Sequence, residues 1–326
     1  MVPVRKILLC TGALVGGLLI AEGVVRWGIG YPSYGVEAKV LGIRNSDNGI
    51  QNIYLPHSAY WTVEGGNRVF HRNNIGLPGS DIHAGPAARY VFVLGSSFIE
   101  ASQVPPDSMA TAVLQRLLAR KEPAVQVLNL GHSGHDAYDD YFRSLYFSRR
   151  YRPEAVILVL QDLELSWLSH HPHPLTFVRP AEFGTELHSM TSRLMIALRN
   201  ASALGNLLAE WRRGVKGDRG QTEAAPASSR TQQEETGNGR SPEDLGKCLE
   251  AFHAAYGDAF HVVSMMSDTA ANGYLHRLCD NVHMPFIVGV IPPEDHLLGG
   301  SGHLAVRGNI HLGEILYESL AQPSRQ

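Results

Sequence analysis

Apolar and polar positions alternate in blocks along most of this chain. Tyr90–Leu94, Val125–Leu130, Ala155–Leu160, Phe260–Met265 and Pro285–Ile291 are short, nearly continuous apolar runs. They are too short for ordinary helices and rich in β-branched and aromatic residues, so they predict strands buried on both faces. Between them lie segments of helical period. Ala110, Val113, Leu114, Leu117 and Leu118 form one apolar helix face after the Pro105-Pro106-Asp107-Ser108 start signal. Further helices are predicted over about 136–150, 242–256, 273–281 and 306–320. Strands alternating with helices predict an α/β fold: a three-layer α/β/α domain with a five-stranded, mostly parallel, doubly wound sheet of flavodoxin-like type.

Two segments break the alternation. Residues 29–88 are rich in Gly, Pro, Asn and His with little period, and predict an extended arm in which Tyr54, Tyr60, Trp61 and Phe70 pack on the domain. An insertion of about 165–241 follows the third strand. Its 190–211 part reads as a helix, and 214–240 has the composition of a disordered loop. The predicted organisation is therefore an N-terminal segment (1–28), the arm (29–88) and the main domain (89–326).

The N-terminal segment changes the picture most. Arg5 and Lys6 precede an apolar run from Ile7 to Trp27, interrupted by Glu22. That is roughly the 20 residues needed to cross a bilayer. The basic residues favour a cytoplasmic start, with the rest of the chain on the periplasmic or extracellular side. No A-x-A cleavage site follows, so the expectation is an uncleaved signal-anchor and a single-pass protein of the cytoplasmic membrane. The 326-residue chain is 44% hydrophobic and 18% charged, with a net charge of −3. That composition supports a large core and excludes the basic stripe expected of a nucleic-acid-binding protein. Cys10, Cys248 and Cys279 form neither a disulfide framework nor a metal motif, and only a meeting of Cys248 with Cys279 in space would allow a pair.

Candidate chemistry collects at predicted strand ends. The first strand stops at Gly95-Ser96-Ser97, the second at Gly131–Gly134, the third at Gln161-Asp162; the last is followed by Glu294-Asp295-His296 and Ser301-Gly302-His303. Acyl transfer needs a nucleophile, a base within hydrogen-bond reach and donors aimed at the developing oxyanion. Ser97 is the candidate nucleophile and His303 the candidate base. The N–H groups of Ser97 and Gly134 and the Gln161 amide are the candidate oxyanion donors. His132 and His135 beside the oxyanion glycine, Asp162, and His170, His171 and His173 read as loop residues, the last three without metal-ligand spacing.

Four short blocks, Gly95-Ser96-Ser97-Phe98, Asn129–Gly134, Gln161-Asp162 and Ser301–Leu304 with Gly308-Asn309, together resemble the SGNH hydrolase superfamily, or GDSL-type esterases, in its membrane-anchored bacterial form. The resemblance covers about 73–320 outside the insertion. It implies a serine esterase that acts without metal or organic cofactor on an acetyl or short-acyl ester of an envelope or extracellular substrate, an acylated glycan or a small ester. Three positions depart from the family pattern. Ser96 stands for a structural aspartate, Gln161 for an asparagine, and Ser301 for the aspartate that would orient the histidine. Loss of that carboxylate leaves Glu294, Asp295 or Ser301, or a backbone carbonyl in a Ser–His dyad, to hold the His303 ring. It also leaves two other readings open: an acyltransferase working on a surface glycan, and an inactive glycan-binding domain that serves envelope-assembly proteins.

Overall fold

The computed structural model describes residues 4–28, 39–44, 50–54, 56–57, 59–62, 68–83, 85, 88–161, 184–187, 202–205, 207–208, 242–297 and 302–321. The chain divides into two compact units: one of residues 1–38, 59–61 and 188–235, and one of 39–58, 62–187 and 236–326. Ser301, Asp162, the 170–173 histidines, the predicted 214–240 loop and most of the predicted 190–211 helix lie outside the described residues.

In the second unit, strands β1 (Lys39–Arg44), β2 (Ile50–Tyr54), β3 (Ala59–Thr62, of which only Thr62 belongs to this unit) and β4 (Arg68–His71) precede the main sheet. The main sheet contains β5 (Arg89–Leu94), β6 (Val125–Asn129), β7 (Pro153–Leu160), β9 (Phe260–Ser264) and β10 (Phe286–Val288). The helices are α2 (Ser97–Glu100), α3 (Ala110–Ala119), α4 (Ala137–Ser148), α5 (Pro242–Tyr256), α6 (Thr269–Asn281) and α7 (Val306–Ala321). The sheet order is β10-β9-β7-β5-β6, and every pair is parallel. This is the doubly wound order in which the chain reverses direction between β5 and β7. All five strands therefore end at the same rim.

The strand period explains the layers. Phe92, Leu94, Leu128, Leu158 and Val262 point to one face and pack with Phe142 of α4, Phe252 of α5 and Leu275 of α6. Their neighbours Val91, Val93, Val127, Ile157 and Val263 point to the other, against Leu114 of α3 and Leu312 of α7. A strand covered on both sides has little place for polar residues, which is why the runs are nearly continuous. The α3–α7 layer is so close that a Cβ on Gly313 would lie 2.5 Å from Val113 Cβ and 2.8 Å from the Ala110 carbonyl. Gly313→Ala is expected to cost about 1–3 kcal/mol by overpacking, read as a lower urea midpoint with an unchanged slope.

Several predicted elements shift. The last strand is three residues rather than seven, because its partner β9 ends at Ser264, opposite Val288. Helix α6 starts four residues early, since Asp268 caps it by accepting from the N–H groups of Ala270 and Ala271. The predicted arm and insertion carry strands that the sequence did not suggest. β8 (Gly184–Leu187) pairs antiparallel with β1, which also pairs antiparallel with β2. A pairing between residues 41 and 187 leaves no local signal. Cys248 and Cys279 are both buried and form no disulfide, and burial, then Asp280, pushes the Cys279 thiol up to about 12.

In the first unit, α1 (Val4–Gly23) continues through a wider turn to Gly28. It is the one helix among the described residues long and apolar enough to cross a membrane, a test that a signal sequence also passes. Glu22 is satisfied at the end of this run. Its carboxylate accepts from Arg26 Nε at 3.1 Å, Ser202 Oγ at 2.8 Å and the N–H groups of Ala203 and Leu204 at 2.9 Å.

Candidate active site

Strand β5 ends at Leu94, and the chain turns through Gly95 and Ser96 into the single helical turn of α2. Ser97, the first residue of that turn, is half-buried at the rim. Its Oγ lies 2.7 Å from His303 Nε2, 206 residues later. The two side chains the sequence singled out as nucleophile and base therefore meet within hydrogen-bond distance. Phe98 packs edge-on against both His303 and His296, with ring centroids 5.9 and 6.3 Å apart.

The His303 loop is held by its backbone. Leu297 N–H donates to the His303 carbonyl and Ala305 N–H to the Asp295 carbonyl, each at 2.8 Å. Asn309 Nδ2 donates to the carbonyls of Leu304 and Ala305, while its Oδ1 accepts from the Ala110 N–H. The Asp295 carboxylate, offered by the sequence as a candidate partner for His303, also faces the closing helix. The 3₁₀ turn at Pro293–Asp295 aims it at α7, where it is ion-paired with His311 Nδ1 at 2.6 Å and Arg307 Nε at 3.3 Å. It is fully buried and ties the loop to the helix, whereas Glu294 is exposed.

The loop after β6 runs beside the turn that carries Ser97. Leu130 N–H donates to the Val93 carbonyl and His132 N–H to the Gly95 carbonyl. Asn129 is buried and works in both directions: Nδ2 donates to the Ile99 carbonyl at 2.6 Å and to Thr111 Oγ1, and Oδ1 accepts from the Gly131 N–H. Gly131 has to be glycine, because a Cβ there would sit 2.3 Å from the Glu100 nitrogen. The N–H groups of Ser97 and Gly134 make no hydrogen bond among the described residues, which leaves them available to a substrate oxygen. Gln161, the third candidate donor, spends one N–H on Ser96 Oγ, across the switch point between β5 and β7.

Sequence reasoning missed the polar cluster behind this loop. Glu100, Arg72, His132 and Arg143 are each at most 6% exposed. Arg72 Nη2 donates to Glu100 Oε1 at 2.7 Å, and its guanidinium lies 3.4 Å from the centre of the Tyr54 ring. Tyr54 bonds His132 Nε2 at 2.7 Å. His132 and His135, expected on a loop surface, are buried and stacked with centroids 3.9 Å apart, and the Tyr54 ring stacks on His132 in turn. The available signal was a carboxylate three residues after the candidate nucleophile and an arginine in the turn-rich passage before β5.

Burial alone would raise the Glu100 carboxyl. The Arg72 guanidinium, His132 and two bonds from Ser133 outweigh it and hold the group below its usual range. Burial, then Arg143, lowers His132, so its neutral form is the folded one. Asp140, buried beside Asp139, is raised well above the usual carboxylate value. For a histidine depressed on folding, the unfolded chain takes up the proton first. Its contribution to stability is then complete above pH 6.5 and declines as pH falls toward the folded-state value. The stability margin of the wild type over His132→Gln should therefore be largest above pH 6.5 and narrow by pH 5, measured as the difference in urea midpoints.

Neither a family model nor a curated protein matches the chain in sequence. Solved structures are similar in fold. They include TesA (14% identity, 71% of this chain and 98% of that one, TM-score 0.40). They also include a catalytic mutant of Axe2, an acetylxylan esterase from Geobacillus stearothermophilus (11%, 75% and 98%, TM-score 0.40). A third is a member of the lipolytic protein G-D-S-L family from Veillonella parvula (11%, 73% and 100%, TM-score 0.36).

Proposed function

We propose that this chain is a serine esterase that removes an acetyl or short acyl group from an envelope or extracellular substrate, an acylated glycan or a small ester. The observation that carries the reading is the 2.7 Å contact between Ser97 Oγ and His303 Nε2 at the rim where the parallel strands end.

His303 Nε2 takes the Ser97 hydroxyl proton as Oγ bonds to the ester carbonyl carbon. The carbonyl π electrons move onto oxygen, and the N–H groups of Ser97 and Gly134, with the second N–H of Gln161, receive that charge. Collapse of the tetrahedral intermediate breaks the bond to the alkoxide, which leaves with the proton from His303. Water then gives a proton to His303 and its hydroxide adds to the acyl carbon. A second collapse releases the carboxylic acid and returns the proton to Ser97. The apolar helix α1, preceded by Arg5 and Lys6, supports a domain held at the far face of the cytoplasmic membrane.

A fluorophosphonate probe followed by peptide mapping tests the assignment. Expected is a single adduct on Ser97, lost in Ser97→Ala and after denaturation. An intact, folded protein that takes no label and cleaves no p-nitrophenyl acetate would remove the esterase reading and leave a binding domain.

A further inference from the structure

We propose that Glu100 and His132 are positioning residues that together fix the Gly134 N–H of the oxyanion site; this rests on Ser97 being the nucleophile. The argument concerns a single peptide group. The Gly134 N–H belongs to the same planar unit as the Ser133 carbonyl, and in a trans peptide the two point in opposite directions. Whatever holds the carbonyl therefore aims the N–H.

The carbonyl is held from one side. His132 Nδ1 lies 2.8 Å from the Ser133 oxygen, and its Nε2 lies 2.7 Å from the Tyr54 hydroxyl. A carbonyl only accepts, so Nδ1 carries the proton and Tyr54 donates to Nε2. That fixes both the tautomer and the ring plane.

The residue itself is held from the other side. Glu100 Oε2 accepts from the Ser133 N–H at 2.7 Å and from Ser133 Oγ at 2.5 Å. Its other oxygen is taken by Arg72. Glu100 sits on the same helical turn as Ser97, so one rigid element carries both the nucleophile and the clamp on the oxyanion loop. The near-contact between Gly131 and the Glu100 backbone adds a steric stop. A carboxylate suits this place better than an amide. Ser133 offers two donors and Arg72 a third, and a glutamine would turn its NH₂ toward one of these donors.

The test measures kcat and KM per active site, counted by fluorophosphonate titration, in Glu100→Gln and His132→Gln. Expected is a fall in kcat of about 10- to 100-fold, smaller than the loss of a whole oxyanion donor, with KM within about two-fold of the wild type. Affinity for a boronic acid, which forms a tetrahedral adduct on serine, should fall in parallel with kcat/KM. If Glu100→Gln does not fold, Ser133→Ala decides. It removes one bond and spares the Arg72–Glu100 pair, and should lower kcat several-fold at constant KM. A kcat per active site equal to that of the wild type, with only a lower melting temperature, would make the cluster structural and overturn the proposal while Ser97 stands. An unlabelled, inactive wild type would overturn both.

Discussion

Ser97→Ala should lower kcat for short-chain esters by a factor on the order of 10⁴ or more while leaving the domain folded. The size follows from what the hydroxyl does. On the proposed mechanism no acyl-enzyme forms without it, and the remaining donors only polarise a carbonyl for attack by bulk water. The structural cost is small by comparison. Ser97 is half-buried, and the change forfeits one hydrogen bond to His303, about 0.5–1.5 kcal/mol. Turnover of p-nitrophenyl acetate, together with a thermal melt, separates the two effects. Wild-type turnover in the variant would take Ser97 out of the mechanism.

Arg72→Met should be the most damaging single change to stability among those considered, costing about 3–5 kcal/mol. The guanidinium is 3% exposed, holds Glu100 Oε1 and covers the Tyr54 ring. Methionine fills much of the space but leaves a buried carboxylate without its counter-charge. The penalty belongs mainly to the orphaned partner, so Arg72→Met combined with Glu100→Gln should regain part of the loss. Urea unfolding of the two singles and the double closes the cycle. Additive effects would show that the two residues do not act as a pair.

The double change also separates stability from catalysis. It should fold better than Arg72→Met alone yet be slow, because Glu100→Gln removes the carboxylate clamp on the Ser133–Gly134 peptide.

The amino-acid order by itself determined the layered α/β architecture. Apolar runs such as Val91–Leu94 and Val156–Leu160 are local features, and a strand sandwiched between helices is apolar on both faces over most of its length. It also singled out Ser97 and His303, since short residue blocks at strand ends are legible without coordinates. What only the tertiary structure decided depends on contacts between distant residues. The β1–β8 pairing, the approach of Asp295 to His311, and the buried Tyr54–His132–Glu100–Arg72 cluster are of this kind. A polar side chain looks the same in sequence whether water or protein satisfies it. Glu100 and His132 become distinctive only because the segment before the first sheet strand folds over them and replaces solvent with fixed partners.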